Sequence, residues 1–144
     1  AMSGPCAVNA REWAFIVVTD REKLAQMAEA NGRVARMLNQ AAAAILVCGD
    51  LDRAFPPAPD FWVIDAAIAA QNMTLAANDL GIGSVWLGTG PDEKRVKRQA
   101  TIFQLPETIV PHSILALGYP AEDIDMRAVR PSRYEENRVH VNQW

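Results

Sequence analysis

The stretch FWVIDAAIAAQNMTLAANDLGIGSVWLGTGP, residues 61–91, decides the fold. Its first part is apolar and alanine-rich nearly all round, which predicts a helix over residues 61–80 that is buried on most sides. The polar exceptions Asp65, Asn72 and Asp79 recur every seven residues, so they lie roughly along one line of that helix. A helix this apolar is hard to cover within one chain of 144 residues. It indicates either the core of a dimer or an ordinary central helix.

The glycines that follow this helix invite comparison with phosphate-binding loops. A dinucleotide fingerprint requires G-x-G-x-x-G between a strand and a helix, but here the third glycine position holds a tryptophan and the order is helix, then strand. A P-loop requires a lysine where this chain has a threonine. Gly81 suits the position just after a helix end. Gly88 and Gly90 allow a flat ligand to approach the backbone of the strand predicted at GSVWLGT.

The residues before this stretch predict two buried strands with a helix between them. WAFIVVT, residues 13–19, is rich in β-branched and aromatic side chains, and AAAILVCGD, residues 42–50, is a continuous apolar run. Thr19 and Glu22 form a capping-box pattern. This pattern predicts a helix that starts there and is broken at the Asn-Gly pair, with more helix possible before the second strand.

Turn and capping residues mark the start of the next helices. Three closely spaced prolines make residues 53–60 a loop, and Asp60 is predicted to cap the long helix. Pro91, Asp92 and Glu93 suit the first turn of another helix, where a missing donor and negative charge are both favourable. The basic residues of that helix are interpreted as a solvated outer face.

The last third of the chain predicts one more strand and a tail. TIVPHSILALGYP is a strand in which Pro111 indicates a sheet edge or a bulge. From residue 121 onward the sequence is polar and lacks a helical period, which predicts an extended C-terminal tail over residues 121–144. The whole chain, residues 1–144, is predicted to be one domain.

Composition excludes several classes of protein. The net charge of −3 argues against broad nucleic-acid binding, which needs a basic face. No stretch is apolar for long enough to span a membrane, and the first residues do not resemble a signal peptide. Cys6 and Cys48 are too few and too far apart for a zinc pattern. A reducing, cytoplasmic setting is therefore expected, with neither nucleic acid nor membrane as a partner.

Five segments in order resemble the FMN-dependent nitroreductase family, and together they cover essentially the whole chain. They are SGPCAVNAREWAFIVVTD, AAAILVCGD, WVIDAAIAAQNMTLAANDLGIGSVWLGTGP, LPETIVPHSILALGYPAE and RYEENRVHVNQW. The resemblance implies an α+β fold, in which a mixed, mostly antiparallel sheet is flanked by helices, and an intertwined homodimer with FMN at the subunit interface. It also implies that NADH or NADPH reduces the flavin, which passes two electrons to a nitroaromatic, quinone or similar small-molecule acceptor.

The resemblance assigns flavin contacts to the first residues of the chain. The family segment S-x-P-[SC]-x-x-N maps onto Ser3, Pro5, Cys6 and Asn9. Asn9 is expected to hydrogen-bond the flavin, while Pro5 and Cys6 line the edge of its ring. The common family residue at position 6 is serine, so Cys6 is a mild departure. The alternative for this segment is a plain turn.

The family's ring-binding strand maps onto WLGTG, which makes Leu87, Gly88 and Thr89 the expected flavin contacts. A backbone amide at Gly88 or Thr89 near the flavin N5 atom suits the chemistry, because N5 receives the hydride. The cofactor carries the reaction, so no catalytic side chain is predicted. His112 and His140 are both interpreted as structural.

The C-terminal basic pair of the family, which meets the FMN phosphate, maps onto Arg130 and Arg133. A guanidinium fork suits phosphate geometry, although an ordinary surface role is the alternative for each. The family's N-terminal helix and its arginine-rich phosphate motif have no counterpart in this sequence. This favours a fragment of a longer protein over a shortened member with weakened flavin affinity.

The sequence leaves two other functions open. One is a flavoenzyme of the same fold that acts on another acceptor, for example in reductive dehalogenation. The other is a non-catalytic, flavin-binding scaffold dimer, which the missing N-terminal arginines bring into consideration.

Overall fold

The apolar runs of the sequence form strands because β-branched and aromatic side chains fill a pleated surface that is covered on both faces. The protein is seen in a computed structural model that describes residues 1–129 and 131–144. In chain order, the strands and α-helices are β1 (Trp13–Val18), α1 (Arg21–Asn31), β2 (Ala43–Asp50), α2 (Phe61–Asp79), β3 (Gly83–Gly88), α3 (Glu93–Phe103) and β4 (Ile109–Gly118). Short 3-10 helices cover Ala7–Asn9, Arg33–Asn39, Leu51–Arg53 and Glu136–Arg138.

The four strands form one sheet in the order β1-β2-β4-β3, and every neighbouring pair is antiparallel. The core on one face joins α1 to the sheet through Leu24, Met27, Leu46 and Ile114. The core on the other face joins α2 to Val47 and its neighbours. An α+β fold with a sheet flanked by helices is therefore confirmed. In the described part of the chain, no helix has the length and apolar character that crossing a bilayer requires.

Two predicted helix caps are wrong. The N-cap of α1 is Asp20, whose side chain accepts a hydrogen bond from the Lys23 amide at 2.8 Å, so Thr19 lies one residue before the cap. Asp60 precedes α2, but its side chain accepts no capping bond. Its backbone is already close to helical, whereas an N-cap side chain reaches the first turn from an extended backbone. Asp92 does cap α3, and it accepts from two amides of the first turn.

The prediction for Pro111 is half right. The strand β4 is central rather than at an edge, because it pairs with both β2 and β3. The predicted bulge is present: Val47 pairs with Ser113 while Cys48 pairs with Pro111, so His112 has no partner on β2. Proline has no N–H to give to a ladder, and it is accommodated where the ladder is interrupted.

The long helix ends as predicted, because Gly81 follows it with a φ of 71°, a conformation that glycine adopts without strain. The C-terminal residues 121–129 and 131–144 contain one short 3-10 helix and are exposed except for Met126. The side chain of Trp144 is 100% exposed. These residues therefore add nothing to either core of this chain.

Candidate functional site

The predicted ring-binding residues lie at the end of the edge strand β3. Leu87 is buried and belongs to the core shared with α1, and Thr89 is 1% exposed. Side chains alternate along a strand, so Trp86 and Gly88 face the side of the sheet on which α2 lies. The sequence prediction thus brings together one core residue, one buried polar residue and one glycine on the α2 side.

The hydrogen bonds at this strand end single out one backbone amide. The Thr89 amide donates to His112 O at 3.2 Å. Hydrogen-bonded and non-hydrogen-bonded pairs alternate along an antiparallel ladder, so the N–H and C=O of Gly88 point away from β4 toward the open edge. Gly88 O accepts from Asn31 Nδ2 at 3.1 Å and from Arg95 Nη1 at 3.2 Å. The Gly88 N–H therefore faces the open edge of the sheet, whereas the Thr89 N–H is already engaged.

Nothing in this chain's own packing requires glycine at positions 88 and 90. A β-carbon on Gly88 would meet the Trp86 ring at 3.4 Å, and one on Gly90 would meet Pro111 O at 3.6 Å; both are ordinary contacts. Neither glycine has the positive φ found at Gly32 and Gly81. Neither glycine is therefore required by an overlap within this chain, and the missing side chains let a ligand approach the backbone of the strand end more closely.

Beside this strand end, His112 lies between two tryptophans. The centroid of its ring is 6.0 Å from that of Trp62 and 6.0 Å from that of Trp86, and the ring is nearly perpendicular to both indoles. Its Nδ1 is 3.0 Å from Ser113 Oγ. Burial lowers the pKa of His112 below its ordinary value of 6.5, because the charged imidazolium loses its hydration. The ring is therefore neutral at neutral pH.

A cavity of about 440 Å³ opens next to this cluster. Its apolar walls come from the start of α2, the loop after β3, α3 and the start of β4, and they include Trp62, Val63, Pro91, Val96 and Pro111, with His112 beside them. The exposed side chains of Glu93 and Lys97 also line it. Gly90 is part of the wall, so the cavity adjoins the strand end at which the Gly88 amide faces the open edge.

The predicted N-terminal contacts form a segment that packs on α2. The Ala7 amide donates to Asp65 Oδ2 at 2.9 Å, and a β-carbon on Gly4 would be 2.8 Å from Ile68 Cγ2. Asp65 is buried under this segment, which explains a polar residue on an otherwise apolar stretch of helix. Of the predicted contacts in the segment, the cysteine is half-buried, and the exposed ones are Ser3, Pro5 and Asn9.

The same segment is strained. Val8, Asn9 and Arg11 have φ values of 43°, 59° and 58°, in the left-handed region that β-branched and long side chains rarely adopt. For Val8 and Arg11 this conformation costs on the order of 1–3 kcal/mol each, whereas asparagine adopts it readily, and the cost is tolerated where surrounding contacts enforce the conformation. Those contacts are the Asp65 bond on one side and, on the other, the buried Glu12, which accepts from the Phe55 amide at 2.7 Å. Strain that is enforced in this way is typical of binding segments.

Within one chain, the predicted site residues do not all lie together. Among residues 1–129 and 131–144, no hydrogen bond connects the segment around Asn9 with the end of β3. Arg133 is exposed in the C-terminal residues, and Arg130 lies outside the described residues. The sequence prediction missed the contacts of Asn31, which was interpreted only as part of a helix break. Its signal is a buried polar residue, and burial is visible only in the fold.

Comparison with known proteins agrees with the resemblance seen in the motifs. The sequence pattern of the nitroreductase family matches residues 32–119. A protein from Archaeoglobus fulgidus, provisionally named NADH dehydrogenase/NAD(P)H nitroreductase, is 44% identical over 144 residues, which are 100% of this chain and 81% of that protein.

Solved structures show the same fold. A Bacteroides thetaiotaomicron protein with the same provisional name has a TM-score of 0.87 and 40% identity, over 99% of this chain and 79% of that chain. A protein from Clostridium difficile described as an FMN-dependent nitroreductase has a TM-score of 0.83 and 28% identity, over 98% of this chain and 81% of that chain. With a family pattern over more than half of its length, and relatives that match it from end to end, this chain belongs to the nitroreductase family.

Proposed function

We propose that this protein is an FMN-dependent oxidoreductase that passes two electrons from NADH or NADPH, through the flavin, to a small-molecule acceptor. The observation that carries the proposal is the outward-facing Gly88 amide at an open strand edge, beside glycines that the chain's own packing does not require. Family membership and the relative named for FMN support the same cofactor.

The residues of this chain would hold and orient the flavin, and FMN supplies the two-electron chemistry when it is bound. The Gly88 amide provides one fixed hydrogen-bond donor toward the ring. The remaining proposed contacts are Ser3, Pro5, Cys6, Asn9, Leu87 and Thr89, with Arg133, and Arg130 from outside the described residues, at the phosphate. Because the engaged Thr89 amide already has an acceptor, we assign the donor role to Gly88 alone.

We propose that the acceptor occupies the cavity of about 440 Å³ next to Gly90. Its walls are apolar and aromatic, and its one imidazole, His112, is kept neutral by burial that lowers its pKa. Burying an isolated charge among apolar side chains is costly. An uncharged, flat acceptor such as a nitroaromatic or a quinone therefore fits the cavity better than an ionic one.

We also propose that the protein is a homodimer whose subunits complete each other's sites. On α2, Ile64 and Leu75 are 53% and 60% exposed, and their spacing of three turns aligns them on one face. Apolar side chains exposed in a row along a helix are typical of an interface. The exposed C-terminal residues and the separation of the Asn9 segment from β3 support the same arrangement, since a partner subunit can place its own Asn9 segment beside the β3 of this chain.

The test of the cofactor is a titration of purified protein with FMN, followed by anaerobic addition of NADH or NADPH. A bound flavin that bleaches and is reoxidised by a quinone or a nitroaromatic supports the oxidoreductase. A bound flavin that neither nicotinamide bleaches indicates the scaffold alternative, and a protein that binds no FMN contradicts the proposal.

Gly88→Val should fold normally but bind FMN at least about tenfold more weakly, which corresponds to about 1.4 kcal/mol. Gly118→Val is the matched control, because a β-carbon on Gly118 meets nothing within 4 Å.

The test of the dimer is light scattering at micromolar concentration. Wild-type protein should have the mass of two chains, and Leu75→Glu should shift it toward one chain, because the new charge would be buried in the interface. Ala25→Glu adds the same charge at an exposed position of α1 and should leave the mass unchanged. A wild-type monomer at this concentration would contradict the proposed assembly.

A further inference from the structure

Asn31 is a fully buried polar residue at the end of α1, and its side chain reaches across to β3. Its exposed fraction is 0%, and α1 ends here because Gly32 turns the chain with a φ of 80°. A buried amide must find partners for both its donor and its acceptor. Asn31 Nδ2 donates to Gly88 O at 3.1 Å, and Asn31 Oδ1 accepts from Thr89 Oγ1 at 3.1 Å.

The two bonds of Asn31 act on one peptide, directly at its carbonyl and indirectly through the side chain of the residue that follows. Its partners are the carbonyl of Gly88 and the side chain of the next residue, Thr89. The N–H of the same peptide, which belongs to Thr89, donates to His112 O at 3.2 Å. The Gly88–Thr89 peptide is thus held at both its C=O and its N–H, and it cannot rotate without breaking buried hydrogen bonds.

This restraint acts at Gly88, where the backbone has little rigidity of its own. Glycine has the widest range of backbone conformations, so Gly88 itself supplies little local rigidity. The outward-facing N–H of Gly88 belongs to the preceding peptide, and the fixed Gly88–Thr89 peptide restrains its direction through the two dihedral angles of Gly88. Arg95 Nη1 also donates to Gly88 O, at 3.2 Å, but the Arg95 side chain is 35% exposed. Water can replace that donor more easily than it can replace Asn31.

We propose that Asn31 is a positioning residue for the flavin: by fixing the Gly88–Thr89 peptide, it sets the direction in which the Gly88 amide donates to the bound ring. This inference rests on the proposed function and assigns Asn31 a role that it exerts through the backbone of Gly88. A misdirected donor weakens binding of FMN. It also alters the midpoint potential, because the oxidised and reduced rings differ in the strength of the hydrogen bond they accept.

The test compares the affinity for FMN and the midpoint potential of bound FMN in wild-type protein and in matched variants. Asn31→Ala should raise the Kd for FMN by about tenfold, the change expected when a buried hydrogen bond is lost, and should shift the potential. Arg95→Met should have a smaller effect on both quantities. Asn39→Ala, which truncates an exposed asparagine of the neighbouring 3-10 helix, should change neither.

Thr89→Val keeps the test decisive if Asn31→Ala fails to fold: the Thr89 side chain is 1% exposed and its hydroxyl bonds Asn31 Oδ1, so the substitution leaves the backbone of Thr89 available to the flavin and should change the same two quantities through Asn31. A loss of thermal stability with unchanged Kd and potential, in whichever variant folds, would overturn the inference and leave the proposed function intact. If wild-type protein binds no FMN, the proposed function fails and the inference fails with it.

Discussion

The indole of Trp62 lies against the backbone of Gly49 so closely that a β-carbon on Gly49 would overlap the six-membered ring of the tryptophan. This contact joins the first turn of α2 to β2. The same indole contacts His112 and forms part of the cavity wall. The absence of one methyl group in β2 therefore determines how near α2 can approach the sheet, and with it the shape of the proposed acceptor site.

We expect Gly49→Ala to lower the free energy of unfolding by about 2 kcal/mol or more, because an overpacked core must shift backbone or side chains. Urea denaturation measures the change. Gly118→Ala introduces the same methyl group into open space and should be nearly neutral. If the two variants are equally stable, Trp62 has an alternative position and the contact is not a restraint.

A pH dependence of stability follows from the buried His112. Its pKa in the folded protein lies below the ordinary value, so the unfolded chain takes up the proton first as the pH falls. His112 therefore contributes stability that is present above about pH 6.5 and is lost as the pH falls through that value toward its folded pKa. The slope from this one group is at most about 1.4 kcal/mol per pH unit.

His112→Asn should flatten that part of the profile, since it removes the titrating ring while keeping a polar atom near Ser113. Denaturation at several values between about pH 5 and 7.5 measures this, because the unperturbed histidine titrates within that interval. His140→Asn changes the other histidine, which is exposed near the C-terminus, and should leave the profile as in wild type. An unchanged slope in His112→Asn would show that the titrating group lies elsewhere.

Asp65→Ala should release the strained N-terminal segment from α2. The variant loses the acceptor of the Ala7 amide, a partly buried bond of 2.9 Å, so the backbone conformation around Asn9 is no longer enforced. We expect the Kd for FMN to rise about tenfold or more, in line with the loss of a hydrogen bond to a carboxylate. Fluorescence titration with FMN measures it.

Asp79→Ala is the control for that substitution, because Asp79 lies on the same line of α2 but is exposed. Hydrogen exchange gives an independent readout: the Ala7 amide should lose protection in Asp65→Ala and keep it in Asp79→Ala. If both variants bind FMN like wild type, the segment around Asn9 is a plain turn, which is the alternative that the sequence left open.

The two thiols should differ sharply in reactivity. Burial raises the pKa of Cys48 to about 12, and this residue is 0% exposed, so almost no reactive thiolate is available. Cys6 is half-buried in the N-terminal segment. A maleimide at neutral pH should therefore label Cys6 rapidly and Cys48 only after unfolding, as mass spectrometry of the labelled peptides would show.

Bound FMN should slow labelling if Cys6 lines the edge of the flavin. Cys6→Ser, which restores the common family residue, should abolish the rapid phase and retain binding of FMN. Labelling of Cys6 at the same rate with and without saturating FMN would remove this residue from the proposed site.

The sequence predicts the order and type of the main elements because their signals are local. The apolar runs of β1 and β2 and the Gly81 stop after α2 each depend on a few neighbouring residues, whereas Pro91, predicted in the first turn of α3, lies before the Asp92 cap. Capping was less predictable. Thr19 and Asp20 are adjacent and both suit an N-cap, and only the backbone conformation decides that Asp20 takes the position.

The candidate site was predicted less completely, because its restraints join residues that are distant in sequence. Asn31 and Thr89 are 58 positions apart, and so are Ala7 and Asp65. The residues around Gly88 were predicted from resemblance to a family, which indicates what these residues bind but not which contacts hold them in place. The engaged Thr89 amide shows the same limit, since its acceptor His112 follows from the pairing of β3 with β4.

The bulge at His112 also changes the phase of β4. Ile114 and Ile109 contact the same core, on the side of α1, although five positions separate them and a regular strand would turn them to opposite sides. Because the bulge adds one residue between them, the positions that face this core are odd-numbered in the first half of β4 and even-numbered in the second half. A version of this strand that kept all ten residues but paired without a bulge would need its first half rewritten, with every inward position exchanged for an outward one.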